Sequence, residues 1–217
     1  MSLVSIIIPI KNEPYIDTLI YDIHHELKNI KHEIIVVDKS ENRPNIKNAK
    51  LIVQKSDGLG KAFLEGLKES KGNIIVLMDG DGSHDPKDIR SLLRKIDEND
   101  IVIGSKYISG SKVEDPFLRV AISHCANSIA RFILGLKIKD PVSGFAAIKR
   151  RVLEDIKLNP IGYKVVTELI YKATKKGYRI VESTFIFHKR KEGQSKFNFN
   201  EIFRFVRLVL RLKLIGR

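Results

Sequence analysis

Two carboxylates separated by one glycine follow an apolar run in the first half of the chain. The five apolar residues of 74–78 predict a strand buried on both faces, and Asp79-Gly80-Asp81 begins where that strand must end. Residues two apart on an extended chain point the same way, so both carboxylates should face one spot. Two hard oxygen ligands beside open space suit Mg²⁺ or Mn²⁺, with water and a substrate diphosphate completing the coordination.

The same stretch has a simpler interpretation as a polar turn that caps the next helix. Ser83, His84 or Asp85, which precede Pro86, could supply such a cap. His84 lies close to the carboxylates, and we interpret it as a turn residue rather than a metal ligand. The Asp-x-Asp pair alone does not choose between metal binding and capping.

Strands that alternate with helices surround these carboxylates. This alternation predicts an α/β fold with a mostly parallel central sheet and helices on both faces, in which ligands lie beyond the carboxyl ends of the strands. Pro9 and Asp38 end two of the predicted strands, so they should lie at the same edge as the carboxylates. The predicted strands of the first half are 4–8, 33–37, 49–53, 74–78 and 101–104.

The second half of the chain is less regular. Apolar spacing predicts helices over 117–134 and 165–176, and no repeat or linker-like tract divides the sequence. We therefore expect a single domain. It would consist of a nucleotide half at about 1–105, an acceptor half at about 106–198 and a C-terminal amphipathic helix at about 199–215.

Two basic segments each allow two interpretations. The loop that contains Arg190 and Lys196 could close over a diphosphate and exclude water, or it could simply be solvated. The last helix has a broad apolar face, which would pack on the domain or lie on a membrane surface. Its basic face carries Arg204, Arg207 and Arg211.

Composition limits the class of protein without identifying it. The 217 residues carry a formal net charge of +13, which favours nucleic acid, an anionic membrane surface or phosphorylated substrates as partners. Cys125 is the only cysteine, so an intrachain disulfide is excluded. No apolar run approaches the length of a membrane span, and we expect a soluble or peripheral protein.

Other polar residues are weaker candidates. Asp38 ends a strand, where its carboxylate could accept hydrogen bonds from a base or ribose, or simply shape a turn. The 57–61 segment precedes a helix and could offer N–H groups to phosphate, but it matches neither a dinucleotide fingerprint nor a P-loop. Ser123 has no acid–base partner nearby in the sequence, which argues against a nucleophile.

Several of these segments together resemble the GT-A-fold glycosyltransferases of family 2, and within them the dolichyl-phosphate mannose synthases. The Asp-x-Asp motif and the first strand are generic to that superfamily. The segments 140–145 (Asp-Pro-Val-Ser-Gly-Phe) and 159–164 (Asn-Pro-Ile-Gly-Tyr-Lys) are far more specific to its polyprenyl-phosphate branch. The resemblance also runs through 5–9, 35–38, 58–60, 104–107, 112–114 and 193–196.

This resemblance implies a metal-dependent, inverting transfer of a hexose, mannose in that family, from GDP-mannose to dolichyl or polyprenyl phosphate. It implies Mg²⁺ or Mn²⁺ at Asp79, Asp81 and Ser83. The implied catalytic residues are Asp79, Asp81, Lys106, Arg119 and Ser123, of which Arg119 and Ser123 would grip the acceptor phosphate. The implied nucleotide-sugar residues are Pro9, Lys11, Glu13, Val37, Asp38, Asp79, Gly80, Asp81, Lys106, Lys164, Arg190 and Lys196.

The sequence departs from the family pattern where Lys11 replaces a usual Tyr, where Lys106 replaces a usual Arg, and where 39–42 replaces an acidic stretch. The last difference leaves the base open, so UDP-glucose or another nucleotide sugar, with a lipid or a soluble acceptor, is an alternative. A basic nucleic-acid- or membrane-binding module without catalysis is another. The chain ends at Arg217 without a membrane-spanning hairpin, so we expect peripheral contact at the cytoplasmic face of the membrane.

Overall fold

A computed structural model describes residues 2–114, 116–189 and 199–215, excepting the side chains at 117–119, 199–202 and 215. Strands and helices alternate through the first half, as the sequence predicts. In chain order the elements are β1 (Val4–Ile10), α1 (Ile16–Glu26), β2 (His32–Asp38), β3 (Lys50–Val53), α2 (Leu59–Glu69), β4 (Ile74–Leu77), α3 (Pro86–Ile96), β5 (Ile101–Ser105), β6 (Lys112–Val113), α4 (Phe117–Leu134), β7 (Ala146–Lys149), α5 (Arg150–Asp155), α6 (Val165–Lys175), β8 (Ile180–Thr184), β9 (Ile186–Phe187) and α7 (Phe199–Ile215).

The central sheet has seven strands in the order β3-β2-β1-β4-β7-β5-β8. Only β7 runs antiparallel to its neighbours, β4 and β5, within this sheet of described residues. The prediction of a mostly parallel sheet is therefore confirmed. Because β1, β2 and β4 run side by side in one direction, their carboxyl ends meet at one edge. Asp38 is the last residue of β2 and Asp79 lies two residues beyond β4, so both are at this edge.

Alternating side chains of the strands fill two cores, one on each face of the sheet. Ile7, Ile35 and Leu77 face helices α2, α4, α5, α6 and α7. Ile6 and Val76 face helices α1 and α3 on the opposite side. Burying each such side chain stabilises the fold by roughly 1.5–3 kcal/mol, so the β-branched runs that predict the strands also hold the two helical layers in place.

The last helix, α7, packs on the domain through Leu208, Val209 and Leu212, which are buried against neighbouring helices. Its opposite side leaves Phe203 and Leu214 about seven-tenths exposed. Across the part of the chain that the structure describes, no helix has both the length and the apolar character needed to cross a bilayer.

Candidate functional site

A large cavity of about 1030 Å³ lies beyond the carboxyl ends of β1 and β4. It is bounded on one side by the sheet edge and on the other by α4, α7 and the loop before α6. The structure therefore gathers residues from distant parts of the sequence around one space. Of the predicted site residues, those that line it are Pro9, Lys11, Glu13, Asp79, Gly80, Asp81, Lys106, Ser123 and Lys164.

Asp79 and Asp81 of the Asp-x-Asp motif both line this cavity. Asp81 is buried, and its Oδ1 accepts hydrogen bonds from the backbone N–H and the hydroxyl of Ser83, at 3.0 and 2.6 Å. Helix α3 is capped by Asp85, one of the three residues named by the capping interpretation, and its carboxylate accepts the N–H of Lys87. This cap does not use Asp79 or Asp81, so the capping of α3 and a metal-binding role for the motif are compatible.

The donor set at this edge fits Mg²⁺ or Mn²⁺. Among the described residues, no group of three or more His, Cys, Asp and Glu side chains comes together as a metal cage. Mg²⁺ is commonly held by one or two carboxylates while water and substrate phosphates supply the other oxygens, and Asp79 with Asp81 matches that pattern. Gly144 leaves the space that this needs, since a Cβ there would lie 3.2 Å from Asp79 Oδ2.

His84 holds the backbone of the Asp-x-Asp motif in place. Its Nδ1 accepts the N–H of Asp79 at 3.1 Å, and its ring stacks on Phe145 with centroids 4.9 Å apart. Burial lowers the pKa of His84 to about 4, with Asp81 opposing and Lys106 adding to the shift. The imidazole is therefore neutral at pH 7, as an acceptor at Nδ1 must be. The sequence predicts a turn residue here and misses this buried supporting role.

Lys106 reaches the cavity from the end of β5. Its ammonium lies 4.5 Å from the centre of the Phe187 ring, and its backbone N–H donates to Asp140 Oδ2 at 3.0 Å. Burial raises the pKa of Asp140, although the positive charge of Lys106 acts against that rise. The 140–144 loop thereby positions a lysine on the same cavity as the two aspartates of the motif.

The carboxylate of Asp38 is buried at the end of β2. Its Oδ1 accepts the backbone N–H of Ser40 at 2.8 Å, whereas its Oδ2 receives no hydrogen bond from the described residues. Asp38 is only 1% exposed and is not among the residues that line the cavity, so its predicted contact with a nucleotide stays a prediction. The side chain of Val37, another predicted nucleotide contact, instead lies in the core on the α2 side of the sheet.

The loop before α2 forms the next part of the cavity wall. Gly58 adopts a φ of 95°, which a residue with a Cβ rarely tolerates, and so turns the chain into the helix. The side-chain amide of Gln54 donates to the carbonyls of Ser56 and Gly58 at 2.7 and 3.1 Å. This network fixes a glycine-containing turn whose Asp57 and Gly58 line the cavity.

Ser123 lines the cavity from α4 and is held by two neighbours. The hydroxyl of Tyr107 donates to Ser123 Oγ at 2.9 Å. The buried Asn127 side chain donates to the carbonyl of Ser123 and accepts the N–H of Val142, which joins α4 to the 140–144 loop. The contact of Tyr107 with Ser123 is tertiary and cannot be read from sequence, whereas Asn127 lies one turn further along the same helix and is fixed by its tertiary contact with Val142.

Three predicted site residues fall outside the described part of the structure. Arg190 and Lys196 belong to the undescribed 190–198 segment, and the side chain of Arg119 is likewise not described. Their predicted contacts with the donor and with the acceptor phosphate remain predictions.

The far side of the cavity is apolar. Helices α4 and α7 contribute Ile129, Ile133, Val209 and other aliphatic side chains to its lining. Each of these helices also carries an exposed apolar stripe. Together the two stripes form the apolar ridge: Ile122, Ile129 and Phe132 of α4, and Phe203, Val206, Leu210 and Leu214 of α7.

The fold recurs in solved structures of glucosyl-3-phosphoglycerate synthase from Mycobacterium tuberculosis. One, in complex with phosphoglyceric acid, matches with a TM-score of 0.75 and 21% identity over 99% of this chain and 80% of that one. Another, with Mn²⁺, UDP-glucose and phosphoglyceric acid, gives 0.74 and 19% over 99% and 79% of the two chains. The fold is therefore that of the GT-A glycosyltransferases.

Sequence comparison gives the family. Glycosyl transferase family 2 matches residues 5–157, and the chain belongs to this family. The dolichol-phosphate mannosyltransferase of Pyrococcus furiosus is 38% identical over 96% of this chain, which spans 63% of that relative's length. The polyprenol monophosphomannose synthase of Mycolicibacterium smegmatis is 32% identical over 91% of this chain and 82% of its own length.

Proposed function

We propose that this protein transfers a hexose, mannose from GDP-mannose, to a polyprenyl phosphate such as dolichyl phosphate, with inversion and with Mg²⁺ or Mn²⁺. The observation that carries the proposal is the division of the cavity into a polar and an apolar half. The polar half holds Asp79, Asp81 and Lys106, and the apolar half lies between α4 and α7. A nucleotide sugar fits the first, and a lipid phosphate fits the boundary between the two.

Residues of the sheet edge would bind the donor. The unsatisfied Oδ2 of Asp38 is suited to accept a hydrogen bond from a base or a ribose hydroxyl. Pro9, Lys11 and Glu13 line the adjoining wall. Asp79 and Asp81 would hold the divalent cation, which when bound neutralises charge on the diphosphate.

Ser123 would orient the acceptor phosphate, since its hydroxyl accepts from Tyr107 and keeps its own proton for a phosphate oxygen. A phosphate monoester loses its second proton near pH ~6, so its oxygen is already nucleophilic at neutral pH. That oxygen forms a bond to the anomeric carbon, and the bond from that carbon to the diphosphate breaks. The departing nucleoside diphosphate takes the electron pair. No general base is required.

The apolar ridge would bring the protein to the membrane that contains the acceptor. Ile122, Ile129, Val206 and Leu210 border the cavity while remaining more than two-fifths exposed. Exposed apolar side chains on two adjacent helices, with Arg204 alongside, suit a peripheral position in an anionic lipid surface. The lipid phosphate could then enter the cavity directly from the bilayer, at the cytoplasmic face in our proposal.

The test is a transfer assay with labelled GDP-mannose and UDP-glucose, each offered polyprenyl phosphate in vesicles or phosphoglyceric acid in solution, with Mn²⁺. We expect label to enter the lipid from GDP-mannose. Asp81→Asn should abolish transfer, whereas the matched variant Asp85→Asn, in the α3 cap, should keep it. Transfer from UDP-glucose to the soluble acceptor alone would establish the alternative reaction. Full transfer by Asp81→Asn would refute the assignment of the metal site.

A further inference from the structure

The 159–164 loop lies between α5 and α6. It packs against the glycine turn, residues 57–60 at the start of α2, and both segments contribute to the same wall of the cavity. The N–H of Gly60 donates to the carbonyl of Gly162 at 3.1 Å. Pro160 lies so close that a Cβ on Gly60 would sit 2.5 Å from its Cβ. Because Gly58 lines the cavity together with Tyr163 and Lys164, the position of this loop sets the shape of the donor wall.

The other side of the same loop is clamped by two charged side chains. Glu168 of α6 accepts the N–H of Asn159 on its Oε1 at 3.0 Å. Arg211 of α7 donates to the carbonyl of Asn159 at 2.6 Å. The backbone N–H and the backbone carbonyl of Asn159 are therefore both hydrogen-bonded, the first by α6 and the second by α7.

The two clamping side chains also pair with each other. A guanidinium nitrogen of Arg211 lies 3.5 Å from Oε2 of Glu168, and the Glu168 side chain is only 1% exposed. Lys172 binds the other carboxylate oxygen at 2.6 Å. Lys172 therefore still compensates the Glu168 charge without Arg211, and the contribution specific to the arginine from α7 is its hydrogen bond to the carbonyl of Asn159.

We propose that Arg211 is a positioning residue for donor binding. It lies outside the cavity lining, yet it fixes Asn159, and through the 159–164 loop it holds Gly60 and the glycine turn in place. Helix α7 therefore supports the donor wall through a residue outside the cavity, in addition to lining the acceptor side. The inference rests on the proposed function in taking a nucleoside diphosphate as the ligand of this wall.

The test compares Arg211→Gln and Arg211→Lys with Arg207→Gln, an exposed arginine on the same helix. Titration calorimetry with GDP or UDP and Mn²⁺, without lipid, measures donor-side affinity. We expect Arg211→Gln to raise the Kd about tenfold, because the lost hydrogen bond involves a charged donor. Arg211→Lys keeps a charge beside Glu168 but lacks the planar fork that also reaches Asn159, so it should weaken binding while preserving the fold. Arg207→Gln should bind like the wild type.

Hydrogen exchange at the Gly60 amide gives a second, ligand-free measurement. Exchange at Gly60 should accelerate in both Arg211 variants and stay unchanged in Arg207→Gln. An unchanged Kd, equal weakening by Arg207→Gln, or unchanged Gly60 exchange in the Arg211 variants would each overturn the inference. If the wild type binds neither nucleotide, the proposed donor is wrong, and Gly60 exchange still decides whether Arg211 positions the loop.

Discussion

The exposed phenyl ring of Phe132 provides the sharpest test of the proposed membrane surface. Phe132 is 90% exposed on α4, so replacing it by serine removes little packing and should change the free energy of unfolding by less than about 0.5 kcal/mol. Burying a phenylalanine in an apolar phase contributes roughly 1.5–3 kcal/mol. With nine-tenths of the ring available, Phe132→Ser should lose about 2 kcal/mol of partition free energy, or about 30-fold in partition coefficient.

Vesicle sedimentation with mixed neutral and anionic phospholipids measures that coefficient. The matched control is Tyr21→Ser, because Tyr21 is 69% exposed on α1, which packs on the opposite face of the sheet. Tyr21→Ser should partition like the wild type. The reasoning is refuted if Phe132→Ser binds vesicles as well as the wild type, or if the control loses as much affinity.

Three further outcomes follow from the site. Because the folded pKa of His84, about 4, lies below its ordinary value of 6.5, its stabilising effect is complete above pH 6.5 and declines as the pH falls towards 4. Measured by urea unfolding, the free energy of unfolding should therefore fall by about 2 kcal/mol more in the wild type than in His84→Gln when the pH is lowered from 7.5 to 5. Equal falls in the two proteins would contradict this. Gly144→Ala should weaken Mn²⁺ binding about tenfold in paramagnetic resonance titrations by crowding the Asp79 carboxylate, and unchanged affinity would argue against that carboxylate as a ligand. Tyr107→Phe should raise the KM for the lipid phosphate about fivefold without changing the KM for the donor, and the effect should vanish in a Ser123→Ala background.

The parallel strands and the carboxylates at their ends could be predicted because both depend on local sequence. A buried apolar run must end where polar residues begin, and this placed Asp79 and Asp81 at the sheet edge. Val37 is implied as a nucleotide contact by the family resemblance and not by the strand pattern, and its side chain packs in the core. Its neighbour Asp38 ends the strand, and one buried oxygen of its carboxylate receives no hydrogen bond from the described residues.

Tertiary contacts account for what the sequence could not show. His84 looks like any polar turn residue until three aromatic rings surround it. Arg211 shares a helix face with Arg204 and Arg207, and the sequence assigns all three the same basic surface. The structure instead turns Arg211 onto a buried carboxylate from α6, a pairing between residues that no periodicity relates.

The antiparallel strand β7 has a consequence for how such a protein can diversify. It comes from the later half of the chain, yet it lies between β4 and β5, which both come from the earlier half. Cutting the gene near codon 105 would leave a gap in the middle of the sheet instead of a free-standing module. Recombination between relatives therefore could not exchange sugar and acceptor preferences as cassettes, and new specificities would have to arise by point substitution around the shared cavity.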